Sequence, residues 1–308
     1  MTARRFSPTT ALLCIVTAGA CWGLNAVIAK NAFDRGVAPA RLAEARVVVA
    51  LAILIVLVGW RRPDLLRPPP ASFPALIAFG LSVALVNGAY YVAIDRLPVG
   101  VAISLQYTGP VLLLGFAALT AGRKPGRAAW VAAALTLAGA TLVSRAYSGL
   151  EGLDGVGMLA AVASAFTFAS YLLTADLAGR RGAHPATVLV WGFLVAILAW
   201  AVLAPWWSWP YARLAEPKVA LAVLGVGTLG TLIPFFLAVA AVPILSPATA
   251  GIAATVEPPF AAAFAWLFLG QHLGMVQVAG GLLVVGGVIL AARSRVLRGE
   301  TIAVEVAP

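Results

Sequence analysis

The chain has 308 residues, of which 62% are hydrophobic and 10% charged, with a net charge of +10 and a mean hydropathy of +0.99. Apolar stretches of about 20 residues recur too often for a water-soluble core, so the fold class is an all-α polytopic membrane protein. The basic excess clusters between the apolar runs, which excludes a nucleic-acid surface as its explanation.

Breaks at charged residues, prolines and glycines divide the chain into ten transmembrane helices, roughly 8–30, 39–60, 72–94, 98–121, 127–145, 154–176, 186–204, 217–241, 246–269 and 273–293. With the N-terminus inside, cytoplasmic segments hold 13 of the 21 Lys and Arg residues, among them Arg4, Arg5, Arg61, Arg62, Arg123, Lys124, Arg180 and Arg181. Both termini are therefore expected to be cytoplasmic.

Span 1 opens on Ser7 as N-cap and Pro8 in the first turn, and carries Trp22 and Asn25 on one face. Asn25 is expected either in a helix-helix hydrogen bond or against a substrate. Cys14 and Cys21 lie about 10 Å apart along one helix, too far to pair. Span 2 brings Arg46 to membrane depth, where it snorkels outward or pairs inward with a carboxylate. Span 3 aligns Asn87, Tyr90 and Tyr91 on one face, as a cavity wall or, for Tyr91, an interfacial belt. Span 4 reads Ser104-Leu105-Gln106-Tyr107-Thr108-Gly109-Pro110, four polar side chains ahead of a helix break that frees the Gln106 carbonyl.

A polar joint from Glu151 to Gly155 leads into the second half, which runs in the opposite sense because five spans precede it. Span 6 sets Ser164, Thr167, Phe168, Tyr171 and Thr174 near one stripe, with Tyr171 in the place that Asn25 holds in span 1. Span 7 ends in a Trp206-Trp207-Ser208-Trp209 cluster, read as an interfacial belt. Span 8 is loosened by Gly225, Gly227, Gly230 and Pro234. Span 9 contains Glu257-Pro258-Pro259, a carboxylate at bilayer depth followed by two residues without an N–H. Gly280, Gly281, Gly286 and Gly287 in span 10, and Gly139 in span 5, predict close backbone packing.

Moving the sequence by 148 positions places Gly109-Pro110 on Glu257-Pro258, Gly122 on Gly270, Gly139 on Gly287 and Arg145 on Arg293. The chain is thus expected to hold two inverted five-helix repeats around a central cavity, residues 1–148 and 149–297, followed by a cytoplasmic tail at 298–308. Trp22, Tyr90, Tyr91, Tyr107, Phe168 and Tyr171 would supply its aromatic wall, and Asn25, Asn87, Gln106 and Glu257 would orient what it holds. Glu257 either couples transport to protons or satisfies donors at its helix break, with Arg46 as the candidate partner charge. The sequence carries no Cys/His metal spacing, no phosphate-binding loop and no acid/base constellation, so no cofactor or nucleotide is called for. A membrane-embedded enzyme is the weaker alternative.

Trp22-Gly23-x-Asn25, Leu105 to Pro110 and Thr255-Val256-Glu257-Pro258-Pro259-Phe260, with Leu267 to Gln271, resemble the drug/metabolite transporter superfamily in its bacterial EamA-type branch. The resemblance covers nearly the whole chain. It implies an inner-membrane secondary transporter exporting small amphipathic metabolites, foremost amino acids of the aromatic or threonine/homoserine kind, with protons as a candidate coupling ion. Multidrug or organic cation efflux is the alternative, since aromatic faces attract cations. Some relatives carry an acid where this chain has Gln106, so that position is not assigned a coupling role.

Overall fold

The computed structural model describes residues 7–33, 35–120, 125–148, 153–203 and 205–293. The tail at 298–308, the charges Arg4, Arg5, Arg123 and Lys124, and Glu151 and Gly152 of the joint between the halves lie outside the described residues. In chain order the helices are α1 (Pro8–Phe33), α2 (Pro39–Arg61), α3 (Phe73–Arg96), α4 (Val99–Gln106), α5 (Gly109–Thr120), α6 (Arg127–Val143) and α7 (Gly155–Arg180). They continue with α8 (Pro185–Leu203), α9 (Tyr211–Leu214), α10 (Pro217–Gly227), α11 (Ile233–Leu245), α12 (Pro247–Ala254), α13 (Glu257–Leu269) and α14 (Met275–Arg293). No strand occurs among the described residues.

Nine helical stretches among the described residues are long and apolar enough to cross a bilayer, with α4–α5, α10–α11 and α12–α13 each counted as one. The apolar helix α6, expected as a further span, is shorter: it has 17 residues, about 25 Å at the helical rise, at the lower limit for a span.

Local chemistry sets the helix ends. Proline in the first turn starts α2, α3, α10, α12 and α13, where its missing N–H costs nothing. Ser7 accepts from the Thr10 N–H at 3.1 Å and Asp154 from the Gly157 N–H at 2.7 Å, each capping a helix start. Gly270 closes α13 with φ of 65°, a conformation that a Cβ would strain.

The main apolar core runs through α1, α2, α3, α7, α8 and α11, while leucine, valine and tryptophan side chains such as Val56, Trp60, Leu119, Val202, Leu221 and Leu282 stand exposed on the outside. That outer surface suits hydrocarbon rather than water.

Close packing depends on missing side chains. In α6 and α14 a Cβ on Gly139 would stand 2.5 Å from the Gly280 carbonyl, and one on Gly287 would stand 2.9 Å from the Ala132 carbonyl. These two pairs exchange places under the 148-residue shift.

The Trp206–Trp209 cluster divides. Trp206 and Trp207 are exposed as a belt would be, whereas Trp209 donates its indole N–H to Glu44 at 2.7 Å and belongs to the interior.

Candidate functional site

The site is built on two interrupted helices. Helix α4 stops at Gln106 and α5 starts at Gly109; α12 stops at Ala254 and α13 starts at Glu257. Both boundaries are 148 residues apart. Pro110, Pro258 and Pro259 supply no N–H at the start of the second segments, so carbonyls in the preceding turns need other donors. Hydroxyls tighten the turns at the breaks without reaching the carbonyls that the prolines free: Thr108 donates to the Leu105 carbonyl at 2.7 Å and Thr255 to the Ile252 carbonyl at 2.6 Å. The carbonyl freed by Pro258 belongs to Ala254. The Tyr107 hydroxyl lies 3.5 Å from it, but points its proton at the Glu257 carboxylate, whose Oε2 accepts at 2.6 Å. One break therefore delivers a phenol to the carboxylate of the other.

The partners of each break explain why only one carries an acid. A Cβ on Gly109 would stand 2.7 Å from the Phe168 ring, so α7 covers that position completely. Over Glu257 the small residues lie on the covering helix instead: a Cβ on Gly19 would meet Val256 at 2.4 Å, and one on Gly23 would meet the Ala261 backbone at 2.7 Å. Helix α1 thus approaches the break closely and leaves room for the Glu257 side chain.

A cation completes the group. Arg46, on α2, is 8% exposed, and its Nη2 donates to the Oδ1 of Asn87 on α3. Asn87 is itself held by its Nδ2 donating to the Val83 carbonyl at 2.7 Å. Arg46 forms no ion pair among the described residues, its Nε is buried without a hydrogen-bond partner, and its charge lies within electrostatic reach of Glu257. Glu257 retains partial accessibility although it sits deep in the bundle, as do Trp22, Asn25, Asn87, Tyr90 and Gln106. Partial exposure of polar groups at that depth is what a cavity, rather than a sealed core, would give.

Asn25 fits against the backbone of α10–α11. A Cβ on Gly230 would stand 2.0 Å from its Oδ1, and this oxygen is buried without a partner. Gly230 lies in a π-helical turn, Thr228–Leu232, which joins α10 to α11 and precedes Pro234. Thr231 donates to the Val226 carbonyl at 2.9 Å, five residues back, within the same widened turn.

Aromatic rings close one end of this space. Tyr171 and Phe168, 3% and 8% exposed, pack edge-on at 5.6 Å; Phe168 meets Tyr107 at 6.0 Å, and Tyr171 meets Phe79 at 6.0 Å and Phe235 at 5.7 Å. Trp22 and Phe193 contact Phe235 from opposite helices. Phe79, Phe193 and Phe235 were not singled out in the sequence, because an apolar ring in a span gives no signal of whether it faces lipid or the interior. The Tyr171 hydroxyl has no hydrogen-bond partner. The other hydroxyls expected beside it turn inward to their own helix: Ser164, Thr167 and Thr174 donate to carbonyls three or four residues back. They satisfy the helix rather than line the cavity. The Tyr91 side chain lies outside the described residues.

A separate recess between α2, α8 and α11 is lined by Leu54, Val58, Arg61, His184, Leu232 and Phe236. It holds none of the polar groups above.

Comparison with known proteins places this arrangement. The family description "EamA-like transporter family" matches residues 9–145 and again residues 155–293. The chain is 29% identical over 249 residues to the threonine/homoserine exporter RhtA of Escherichia coli (strain K12), covering 79% of this chain and 78% of that protein. It is 25% identical to the uncharacterized transporter YdfC of Bacillus subtilis (strain 168), over 82% of this chain and 81% of that protein. Similarity to the pseudopaline exporter CntI of Pseudomonas aeruginosa (strain UCBPP-PA14) is 28% over 72% of this chain and 76% of that protein. A solved crystal structure superposes with a TM-score of 0.76 at 21% identity, covering 92% of this chain and 96% of that one, and so shares the fold.

Proposed function

The chain belongs to the EamA-like transporter family, and on that premise we propose that it is a secondary transporter that exports small amphipathic metabolites, amino acids of the threonine/homoserine or aromatic kind foremost. The observation that carries this reading is the Tyr107–Glu257 pair, which joins two interrupted helices at the partly accessible centre of the bundle. The names of the exporter relatives support the substrate class.

The proposed machine is two inverted repeats, 1–148 and 149–297, of five spans each, with α6 as the shortest and both termini cytoplasmic in a multi-pass inner-membrane protein. The double family match, the paired breaks and the interchanging glycine contacts of α6 and α14 support the repeats. Rocking one repeat against the other would expose the central site to each side in turn. Trp22, Asn25, Asn87, Tyr90, Tyr91, Gln106, Tyr107, Phe168 and Tyr171 are its proposed substrate-facing residues. Glu257 is the proposed proton-coupling group, with Arg46 as the neighbouring charge.

Efflux of organic cations is the second reading, favoured by the aromatic cluster and the Glu257 carboxylate. Arg46 in the same space counts against it, because a guanidinium repels a cation that carries no anionic group. The test is efflux from proteoliposomes loaded in turn with radiolabelled amino acids and with tetraphenylphosphonium. Amino acid efflux above protein-free vesicles is expected. Flux of the cation alone, or chemical conversion of a loaded solute, would overturn the reading.

A further inference from the structure

Arg46 and Glu257 are oppositely charged and within electrostatic reach of each other but do not touch; Glu257 is partly accessible and Arg46 is buried beside it. Arg46 makes no ion pair among the described residues; Glu44, two residues earlier, is taken by Arg41 at 3.2 Å and by Trp209. Its guanidinium is aimed by Asn87, whose own amide is locked by Val83; its Nε is buried without an acceptor, and among the described residues its Nη1 makes no hydrogen bond and remains for one. Leaving a buried guanidinium donor unmet is unfavourable, and an anion is the group that meets it best. Among the described residues only Tyr107 hydrogen-bonds Glu257, and it uses one carboxylate oxygen. The other oxygen remains for a donor.

We propose that Arg46 and Glu257 are the two poles of a recognition site for zwitterions, Arg46 taking the carboxylate and Glu257 the ammonium of a free α-amino acid. The assignment rests on reading the central space as the substrate site. A cation alone would leave Arg46 unmet and be repelled by it; an anion alone would do the same at Glu257. A molecule bearing both charges on one carbon satisfies both poles and bridges a gap that the protein leaves unbridged. A proton and the substrate ammonium would then compete for one carboxylate, since a protonated Glu257 is no longer an anionic pole.

The test is counterflow of radiolabelled threonine by the full chain in proteoliposomes, with three competitors: free threonine, threonine amide, which lacks the carboxylate, and N-acetylthreonine, which lacks the ammonium. For the unmodified protein each blocked derivative is expected to compete about tenfold or more weakly than the free amino acid. This comparison needs no variant and so cannot be confounded by misfolding. In Arg46→Met the discrimination against the amide should fall to within about threefold, and Arg46→Lys should restore part of it. In Glu257→Gln the discrimination against the N-acetyl compound should fall instead. Equal competition by free and blocked compounds, or an unchanged amide ratio in folded Arg46→Met, overturns the pole assignment and leaves the exporter reading standing. Absence of exchange with any free amino acid overturns both.

Discussion

Tyr107 has one hydroxyl proton and two acceptors near it, the Glu257 carboxylate at 2.6 Å and the Ala254 carbonyl at 3.5 Å. The charged acceptor wins because hydrogen bonds to ionised groups are roughly twice as strong as neutral ones. Tyr107→Phe removes that donor and leaves the carboxylate short of a partner, at a cost of ~1–3 kcal/mol. Transport by Tyr107→Phe should therefore fall, and its effect should not add to that of Glu257→Gln. Additivity of the two within about 0.5 kcal/mol in a double-mutant cycle would show that the residues act separately. A second residue carries a pH dependence. His184 accepts the Ala186 N–H on Nδ1 at 3.2 Å at the start of α8, and burial, with Arg62 beside it, pushes its pKa below the ordinary 6.5. The folded protein thus binds this proton less readily than the unfolded chain. The contribution of His184 is fully present above pH 6.5 and declines as the pH falls below that value. In His184→Asn, which keeps a capping side chain without a titrating group, the drop in Tm between pH 7.5 and about 5.5 should be smaller than in the unmodified protein. An identical drop would remove His184 from the acid response.

The helix breaks were legible in the sequence because proline acts locally: Pro110 and Pro258 lie where α5 and α13 begin, whatever packs around them. The glycines of α6 and α14 were legible for the same reason. Only their pairing is tertiary, Gly139 against the Gly280 backbone and Gly287 against Ala132. Gly280→Val should destabilise this interface by ~1–3 kcal/mol, whereas Gly286→Val, which faces open space, should leave the Tm within a degree or so. Equal effects of the two would contradict the packing described. The π-turn at Thr228–Leu232 was not legible beyond a general loosening. A one-residue slip of the hydrogen-bond ladder depends on what fills it, and here Asn25 of another helix occupies the space over Gly230. Phe79, Phe193 and Phe235 were missed because every face of a span tolerates an apolar ring, so hydrophobicity does not separate rings that face lipid from rings that close the cavity.

Across the whole molecule the two halves are not in the same state. Helices α7 and α11 meet through Tyr171 and Phe235 at 5.7 Å, but the stretches that match them 148 residues earlier, α1 and the end of α3, make no comparable contact among the described residues. These rings close the space toward the end where α1 begins. With the proposed orientation the closed end is the cytoplasmic one. The charge asymmetry behind the proposed orientation was visible in the sequence; the ring closure was not, since it depends on which helices meet. With Cys14 and Cys21 replaced by serine, Asn87→Cys should react with a membrane-impermeant thiol reagent added outside the cell, and Tyr171→Cys should resist it. Labelling of Tyr171→Cys but not Asn87→Cys from that side would reverse the assignment.

The central claim is that the carboxyl presented at the α12–α13 break lies in the transport path and carries the coupled proton. Glu257→Gln in proteoliposomes tests it most directly, by comparing amino acid counterflow at saturating substrate with flux driven by an imposed pH gradient. The prediction is that counterflow persists while the response to the gradient disappears. A folded Glu257→Gln protein that answers the pH gradient as the unmodified protein does would contradict it.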